Sequence, residues 1–113
     1  MDYFFYGTLM DPALLARLVG AAAATVEPAR LVGFRRVRLR GQPYPTVVPA
    51  EDGSVDGIVV GRIDAAGARR LAEYEGPSYS IRLFGVMLQD GRTRRVRVFV
   101  APVGLASDGP WEP

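Results

Sequence analysis

Hydrophobic and polar positions follow strand-like spacing over most of the chain and helix-like spacing in two places. Residues 2–6 are a short aromatic run that ends at Gly7, which is typical of a buried strand followed by a tight turn. Asp11-Pro12 then supplies a helix N-cap and a first-turn proline, and leucines recur at helical spacing up to Gly20. The chain therefore opens as strand, turn and helix.

The middle of the chain is predicted to be extended. Residues 29–40 alternate apolar and arginine positions, as in a half-buried strand. Residues 44–49 contain two prolines, which favours a sheet edge or a bulge. Asp52-Gly53 predicts a turn, and residues 55–63 a further strand.

A second helix is predicted over residues 65–75, with Asp64 as N-cap and Gly76-Pro77 as its end. Two more strands, residues 79–88 and 93–100, are joined by a hairpin turn at Asp90-Gly91. About six strands and two short helices in one chain predict an α+β fold built on a small mixed β-barrel. The segment from about Ala101 is rich in Gly and Pro, so we expect it to be irregular.

The composition of the chain excludes several kinds of catalytic and metal site. A chain of 113 residues is long enough for one core, so we treat residues 1–113 as a single domain. Cys and His are both absent, which excludes disulfides, thiolate nucleophiles, Ser-His triads and imidazole or sulfur metal sites. We find no pattern for a signal peptide, a membrane span or an acidic metal site, and expect a cytoplasmic protein.

Glu75 occupies an unusual position on the second predicted helix. Together with Ala68, Leu71 and Ala72 it follows the spacing of the apolar stripe, whereas Glu73 lies on the arginine-bearing side. Burial and the helix C-terminus would both raise the pKa of Glu75, which suits a proton shuttle. The structural alternative is that Glu75 turns outward or is neutralised by an arginine such as Arg82.

The turn Tyr6-Gly7-Thr8-Leu9 is the second candidate feature. Between a strand and a helix, such a turn leaves backbone N–H groups free to hold a carboxylate or an oxyanion, and we expect Gly7 to adopt positive φ. A simple strand-to-helix turn is the alternative. Arginine-bearing strands also raise the possibility of nucleic-acid binding, but the net charge of +2 argues against it.

These two features, Tyr6-Gly7-Thr8-Leu9 and Tyr74-Glu75-Gly76, together resemble the paired signature of the γ-glutamylcyclotransferase-like (AIG2-like) family. The order of elements is also similar, including a Tyr44-Pro45 segment and Tyr79 after the helix. The resemblance spans residues 3–100 and is carried most strongly by the combination of the two motifs.

The resemblance implies a compact barrel whose turn and glutamate face one cavity. It also implies a lyase- or acyltransferase-type cyclisation without a cofactor, in which a γ-glutamyl amine or amino acid closes to 5-oxoproline. Glu75 would be the acid/base residue. The substrate-binding residues would be Tyr6, Gly7, Thr8 and Leu9, with Tyr79 and Arg82 as further candidates.

Three hypotheses follow: a γ-glutamyl cyclotransferase, a non-catalytic domain that binds a small carboxylate ligand, and an arginine-mediated module for nucleic acid or protein. The first is preferred. Its partner is a small γ-glutamyl molecule and neither nucleic acid nor membrane, and we expect a monomer or homodimer.

Overall fold

The regular elements follow one another closely along the chain. The computed structural model describes residues 1–20 and 25–111; residues 21–24 and 112–113 of the predicted domain lie outside the described part. In chain order the elements are β1 (Tyr3–Phe5), a 3-10 helix (Thr8–Met10), α1 (Pro12–Val19), β2 (Thr25–Leu39), β3 (Pro45–Gly61), α2 (Ala65–Glu75), β4 (Ser80–Leu88), β5 (Thr93–Val100), a second 3-10 helix (Val103–Leu105) and β6 (Ala106–Pro110).

The strands form a barrel with one strand added. They share a single sheet in the order β3-β1-β5-β4-β2-β6, and a further pairing of β2 with β3 closes the first five into a barrel. β1 lies parallel to β5, whereas the other pairs are antiparallel. The predicted α+β fold with a small mixed barrel is confirmed.

β2 and β3 form one long hairpin. β3 runs from Pro45 to Gly61 and pairs with β2 over residues 45–49 and 54–61. The prediction of two separate strands is therefore wrong, while the predicted turn at Asp52-Gly53 falls in residues 50–53, which interrupt the pairing. Gly53 is also needed for packing, because a Cβ atom there would collide with the backbone oxygen of Phe34. The glycine allows two backbones to approach closely.

The two strands of this hairpin have unequal numbers of residues at one point. Between the pairs Val32–Ser54 and Phe34–Pro49, β2 has only Gly33, with φ of 89°, whereas β3 has residues 50–53. Extra residues on one strand are the signature of a β-bulge, which bends that strand and increases its twist. The bulge helps to curl the long hairpin around the barrel.

The segment after β5 is more regular than predicted. Instead of being irregular from Ala101, it forms the second 3-10 helix and then β6, which pairs antiparallel with β2. The Arg40 N–H group donates to the Leu105 carbonyl at 2.9 Å where this segment meets β2. Glycine and proline are tolerated because β6 lies at the edge of the sheet, where proline need not donate a ladder hydrogen bond.

Two apolar clusters hold the fold together. The first fills the barrel and consists of strand residues, among them Phe4 and Val98, together with Tyr6, which directly follows β1. The second lies between the barrel and the helices, and includes Tyr3, Phe5, Leu9, Leu15, Val60, Ile63, Leu71 and Phe99. β1 therefore contributes to both clusters, which explains an aromatic run that does not alternate with polar residues.

Both helices begin and end as predicted. The Asp11 and Asp64 side chains accept hydrogen bonds from the backbone N–H groups of Ala13 and Gly67, at 3.0 and 2.7 Å. α2 ends at Glu75 because Gly76 adopts φ of 82° and its N–H group bonds back to Ala72. Within the described ranges, no helix has the length and apolar character needed to cross a membrane.

We expect Gly53→Ala to lower the free energy of unfolding by about 1–3 kcal/mol, because the new methyl group must push the Phe34 backbone aside. Urea denaturation measures the change. Gly104→Ala is the matched control, since a Cβ at Gly104 meets no atom within 4 Å. Equal stability of the two variants would show that close approach at Gly53 imposes no constraint.

Candidate active site

A cavity of about 170 Å³ opens beside the turn that follows β1. The end of α2, the loop between β2 and β3, the segment between α2 and β4, and one residue of β5 complete its wall. Its lining residues are Phe4, Phe5, Tyr6, Gly7, Thr8, Leu9, Gln42, Tyr44, Pro45, Tyr74, Glu75, Ser78, Tyr79 and Phe99. The structure thus brings together both motifs that were singled out in the sequence.

The turn after β1 contributes Gly7, Thr8 and Leu9 to the cavity lining. The Met10 N–H group donates to the Gly7 carbonyl at 3.0 Å, which is the first bond of the 3-10 helix. The N–H groups of Gly7, Thr8 and Leu9 precede that bond, so the helix itself offers them no acceptor. These donors can bind a carboxylate or an oxyanion.

Gly7 is required for a reason other than the predicted one. Its φ is −134°, so the expectation of a positive φ is wrong. A Cβ atom at this position would instead lie 2.8 Å from the Pro45 ring. Any side chain larger than hydrogen would therefore push the turn away from Pro45 and change the cavity wall.

Leu9 and Thr8 fix the turn from opposite sides. The Leu9 side chain is buried in the cluster under the helices, so it anchors the turn rather than facing solvent. Thr8 is exposed, and its Oγ1 atom forms a hydrogen bond of 3.1 Å with the Tyr74 hydroxyl on α2. This bond links the two motifs across the cavity mouth.

Glu75 is a largely desolvated carboxyl at the end of α2. Burial raises the pKa of Glu75 to about 7. The described salt bridges do not involve Glu75. With this pKa, both the acid and the base form of the carboxyl are populated near neutral pH.

The two tyrosines predicted to bind substrate both line the cavity, yet their hydroxyls already have backbone acceptors. The Tyr6 hydroxyl donates to the Phe99 carbonyl at 2.5 Å, and the Tyr79 hydroxyl donates to the Pro45 carbonyl at 2.6 Å. Burial raises the pKa of each, and the nearby Glu75 carboxylate raises both further. Their rings therefore shape the cavity, and their hydroxyl protons are used in holding its walls together.

Arg82 lies apart from these residues. It is exposed on β4 opposite Val98 and does not line the cavity. The structure therefore does not bring it to Glu75 as a neutralising partner, and its role in binding substrate stays a prediction.

Sequence reasoning missed part of the cavity wall. Gln42, Ser78 and Phe99 line the cavity, although none of them belongs to either motif. Ser78 follows the helix-ending Gly76-Pro77 turn directly, so its proximity to Glu75 could have been anticipated. Gln42 and Phe99 come from distant parts of the chain and carry no local signal.

A second, larger and more open depression of about 410 Å³ is lined by residues including Arg30, Asp56 and Met87. Its charged pair is already satisfied, because Arg30 Nε lies 2.8 Å from Asp56 Oδ1. In residues 1–20 and 25–111, no three Asp or Glu side chains cluster as a metal site would require. The cavity with Glu75 is therefore the better candidate for chemistry.

The chain was compared with known proteins. The profile of the family described as "Gamma-glutamyl cyclotransferase, AIG2-like" matches residues 3–113. Among curated relatives from Arabidopsis thaliana, "Protein AIG2 C" is 37% identical over 78 residues, which cover 69% of this chain and 47% of that protein. "AIG2-like protein C" is 37% identical over 89 residues, which cover 79% of this chain and 51% of that protein. The chain spans about half the length of these relatives.

Solved structures share the fold. A solution structure of an Arabidopsis thaliana protein superposes with a TM-score of 0.80 at 28% identity, covering 98% of this chain and 68% of the other. A structure described as "Gamma-glutamyl cyclotransferase" gives a TM-score of 0.78 at 21% identity, covering 90% and 66%. The second likeness concerns the fold alone.

The pKa of Glu75 predicts how stability depends on pH. Because the folded-state value of about 7 exceeds the ordinary value of 4.5, the protonated carboxyl favours the folded state. This contribution is complete below pH 4.5 and is lost as the pH rises through about 7, amounting to at most about 3 kcal/mol. Glu75→Gln removes the dependence, since the amide stays neutral.

We therefore expect Glu75→Gln to gain stability relative to the wild type between about pH 5 and about pH 8, as measured by urea denaturation. Glu73→Gln, an exposed glutamate on the same helix, is the matched control. An identical pH dependence in the wild type and in Glu75→Gln would contradict the desolvation of Glu75.

Proposed function

This chain belongs to the gamma-glutamyl cyclotransferase, AIG2-like family, and on that premise we propose that it converts a γ-glutamyl compound to 5-oxoproline with release of an amine. One observation carries the proposal: a largely desolvated carboxyl with a pKa of about 7 shares a small cavity with the turn residues Gly7, Thr8 and Leu9. Such a carboxyl exchanges protons readily near neutral pH.

In the proposed reaction Glu75 acts first as a base and then as an acid. Its carboxylate takes a proton from the α-ammonium group of the γ-glutamyl moiety, and the freed amine nitrogen attacks the γ-carbonyl carbon. A new C–N bond closes the five-membered ring, and the bond to the leaving nitrogen breaks. Glu75 returns its proton to that nitrogen, and the second proton of the ring nitrogen then passes through Glu75 to the released amine, which leaves as an ammonium ion. The lactam is neutral and the Glu75 carboxylate is regenerated. Atoms and charge balance without an oxidant or a covalent enzyme intermediate.

The backbone N–H donors after β1 stabilise negative charge on the substrate in the proposed reaction. In this proposal the N–H groups of Gly7, Thr8 and Leu9, which line the cavity, hold the α-carboxylate of the γ-glutamyl group or the oxyanion that develops on the γ-carbonyl. Because amine and carbonyl belong to one molecule, fixing their relative position removes most of the entropic barrier to ring closure. A reaction that depends mainly on positioning suits a cavity with few ionisable groups in its lining.

We expect purified protein to form 5-oxoproline from a panel of γ-glutamyl amines and amino acids, detected by mass spectrometry. Glu75→Gln should lower kcat at least about 100-fold, because general acid–base catalysis contributes on that order. Glu73→Gln serves as the control with wild-type rates. In the wild type kcat/KM should rise with pH up to about 7, as Glu75 ionises.

Two outcomes would contradict this assignment. Full activity in Glu75→Gln would remove Glu75 as the acid/base residue. Saturable binding of a γ-glutamyl compound without product would instead support the non-catalytic carboxylate-binding domain.

The charge of the cavity predicts a preference among leaving groups. Glu75 is the one ionisable carboxyl, and no arginine is present, among the lining residues that the structure describes. A leaving amino acid would bring its carboxylate near Glu75 without a cation to pair it. We expect kcat/KM for γ-glutamyl-ethylamine to exceed that for γ-glutamyl-alanine by about 10-fold. These two substrates differ by that carboxylate. Equal kcat/KM values would show that the charge of the cavity does not determine which leaving group is preferred.

A further inference from the structure

Trp111, which directly follows β6, contacts a distant part of the chain. Its indole Nε1–H group donates to the Pro43 carbonyl at 2.6 Å, across 68 residues of sequence. Pro43 lies in the loop of residues 40–44 that joins β2 to β3, here called the β2–β3 loop. The segment after β5 therefore returns to hold the tip of this loop.

The β2–β3 loop forms part of the cavity wall. Gln42 and Tyr44 both line the cavity, and both are exposed. Tyr44 is 46% exposed, whereas Tyr6 in the same cavity is 5% exposed. The loop therefore lies at the cavity mouth, and the strand residues form its floor.

The loop has few described hydrogen bonds. At its start, the Arg40 N–H group donates to the Leu105 carbonyl at 2.9 Å. The Leu39 N–H group donates to the Tyr44 carbonyl at 2.9 Å, and a longer bond of 3.3 Å joins the Gln42 N–H group to the Leu39 carbonyl. The end of the loop is fixed by the Tyr79 hydroxyl, which donates to the Pro45 carbonyl. At the tip of the loop, the hydrogen bond that the structure describes from a side chain is the one from Trp111 to the Pro43 carbonyl.

Trp111 is itself tied to the barrel through Arg36 on β2. The Arg36 guanidinium carbon lies 5.5 Å from the centroid of the indole ring, within the range of a cation–π contact. One Arg36 nitrogen donates to the Asp56 carbonyl on β3 at 2.5 Å, while Nε is buried without a described partner. The aromatic face thus meets a partly desolvated cation, and the contact links the loop tip to both long strands.

We infer that Trp111 is a positioning residue of the cavity, which holds the β2–β3 loop and thereby sets the space for the leaving amine at the cavity mouth. The γ-glutamyl head is assigned to the floor, near Glu75 and the backbone donors after Gly7, so the part of the substrate beyond the scissile bond extends toward the loop. The assignment to the leaving amine rests on the proposed function; the bracing of the loop does not.

Hydrogen exchange of the amides of Gly41, Gln42 and Tyr44 tests the bracing directly, because Pro43 has no amide proton and the Arg40 amide is bonded to Leu105. Trp111→Ala should increase their exchange rates about 5- to 10-fold, as expected for the loss of one net hydrogen bond in a locally opening segment. Trp111→Phe keeps a ring over Arg36 and loses the N–H donor, so it should lie between the wild type and Trp111→Ala. Val103→Ala, an exposed residue of the same segment, is the control with wild-type rates.

Steady-state kinetics test the effect on the leaving amine. The substrates are γ-glutamyl-methylamine and γ-glutamyl-benzylamine, which differ in the size of the leaving group. Trp111→Ala should raise KM about 3-fold or more for the benzylamide, with KM for the methylamide and both kcat values nearly unchanged. A general loss of folded protein would instead lower kcat equally for both substrates.

Each outcome decides a separate claim. Unchanged exchange in Trp111→Ala overturns the bracing, whatever the activity. If hydrogen exchange is faster in Trp111→Ala but KM changes equally for both substrates, the assignment of the loop to the leaving amine is overturned.

If the wild type forms no 5-oxoproline, the proposed function fails, and the exchange experiment still decides the bracing. The two compounds are then compared by the fluorescence of Trp111, the single tryptophan of the chain. A shift in emission with the benzylamide and none with the methylamide supports a site for the larger group at the loop, and equal responses overturn it.

Discussion

β1 contains only three residues, and all of them are buried. Phe4 contacts the barrel cluster, while Tyr3 and Phe5 contact the cluster under the helices. A slip of this strand by one residue would exchange the two faces and misplace every aromatic ring, each of which contributes about 1.5–3 kcal/mol by burial. The turn at Gly7 leaves the barrel from the end of this strand, so the position of its backbone donors follows from the packing of β1.

The same packing fixes the candidate acid/base residue. Leu71 on α2 is fully buried in the cluster that also holds Phe5 and Leu9. One turn later along the helix, Glu75 is carried into the cavity wall, where burial without a paired cation raises its pKa to about 7. The ionised form is unfavourable there, and the free energy of core packing offsets that cost. Stability and proton transfer are thus opposed at one residue, as is common at functional sites.

Floor and mouth of the cavity are built differently. Buried aromatic rings and a short turn make up the floor, whereas the mouth depends on single hydrogen bonds between distant segments, such as Tyr79 to Pro45 and Trp111 to Pro43. Changes in the loop or in the segment after β5 can therefore alter the space at the mouth without moving Glu75. That separation offers a physical route by which one fold accepts different leaving groups.

The sequence by itself determined the features that depend on neighbouring residues: the capped helix that ends at Glu75, the turn at Gly7 and the hairpin at Asp90-Gly91. Capping, φ preferences and side-chain periodicity act within a few residues, so they can be read locally. Tertiary structure alone decided the pairing of β3 with β2 on both sides of Gly53, the pairing of β6 with β2, the place of Gln42 in the cavity wall and the bond from Trp111 to Pro43. These depend on strand partners and hydrogen bonds between segments far apart in the chain, where each residue's conformation is set by a neighbour that its own local sequence does not specify.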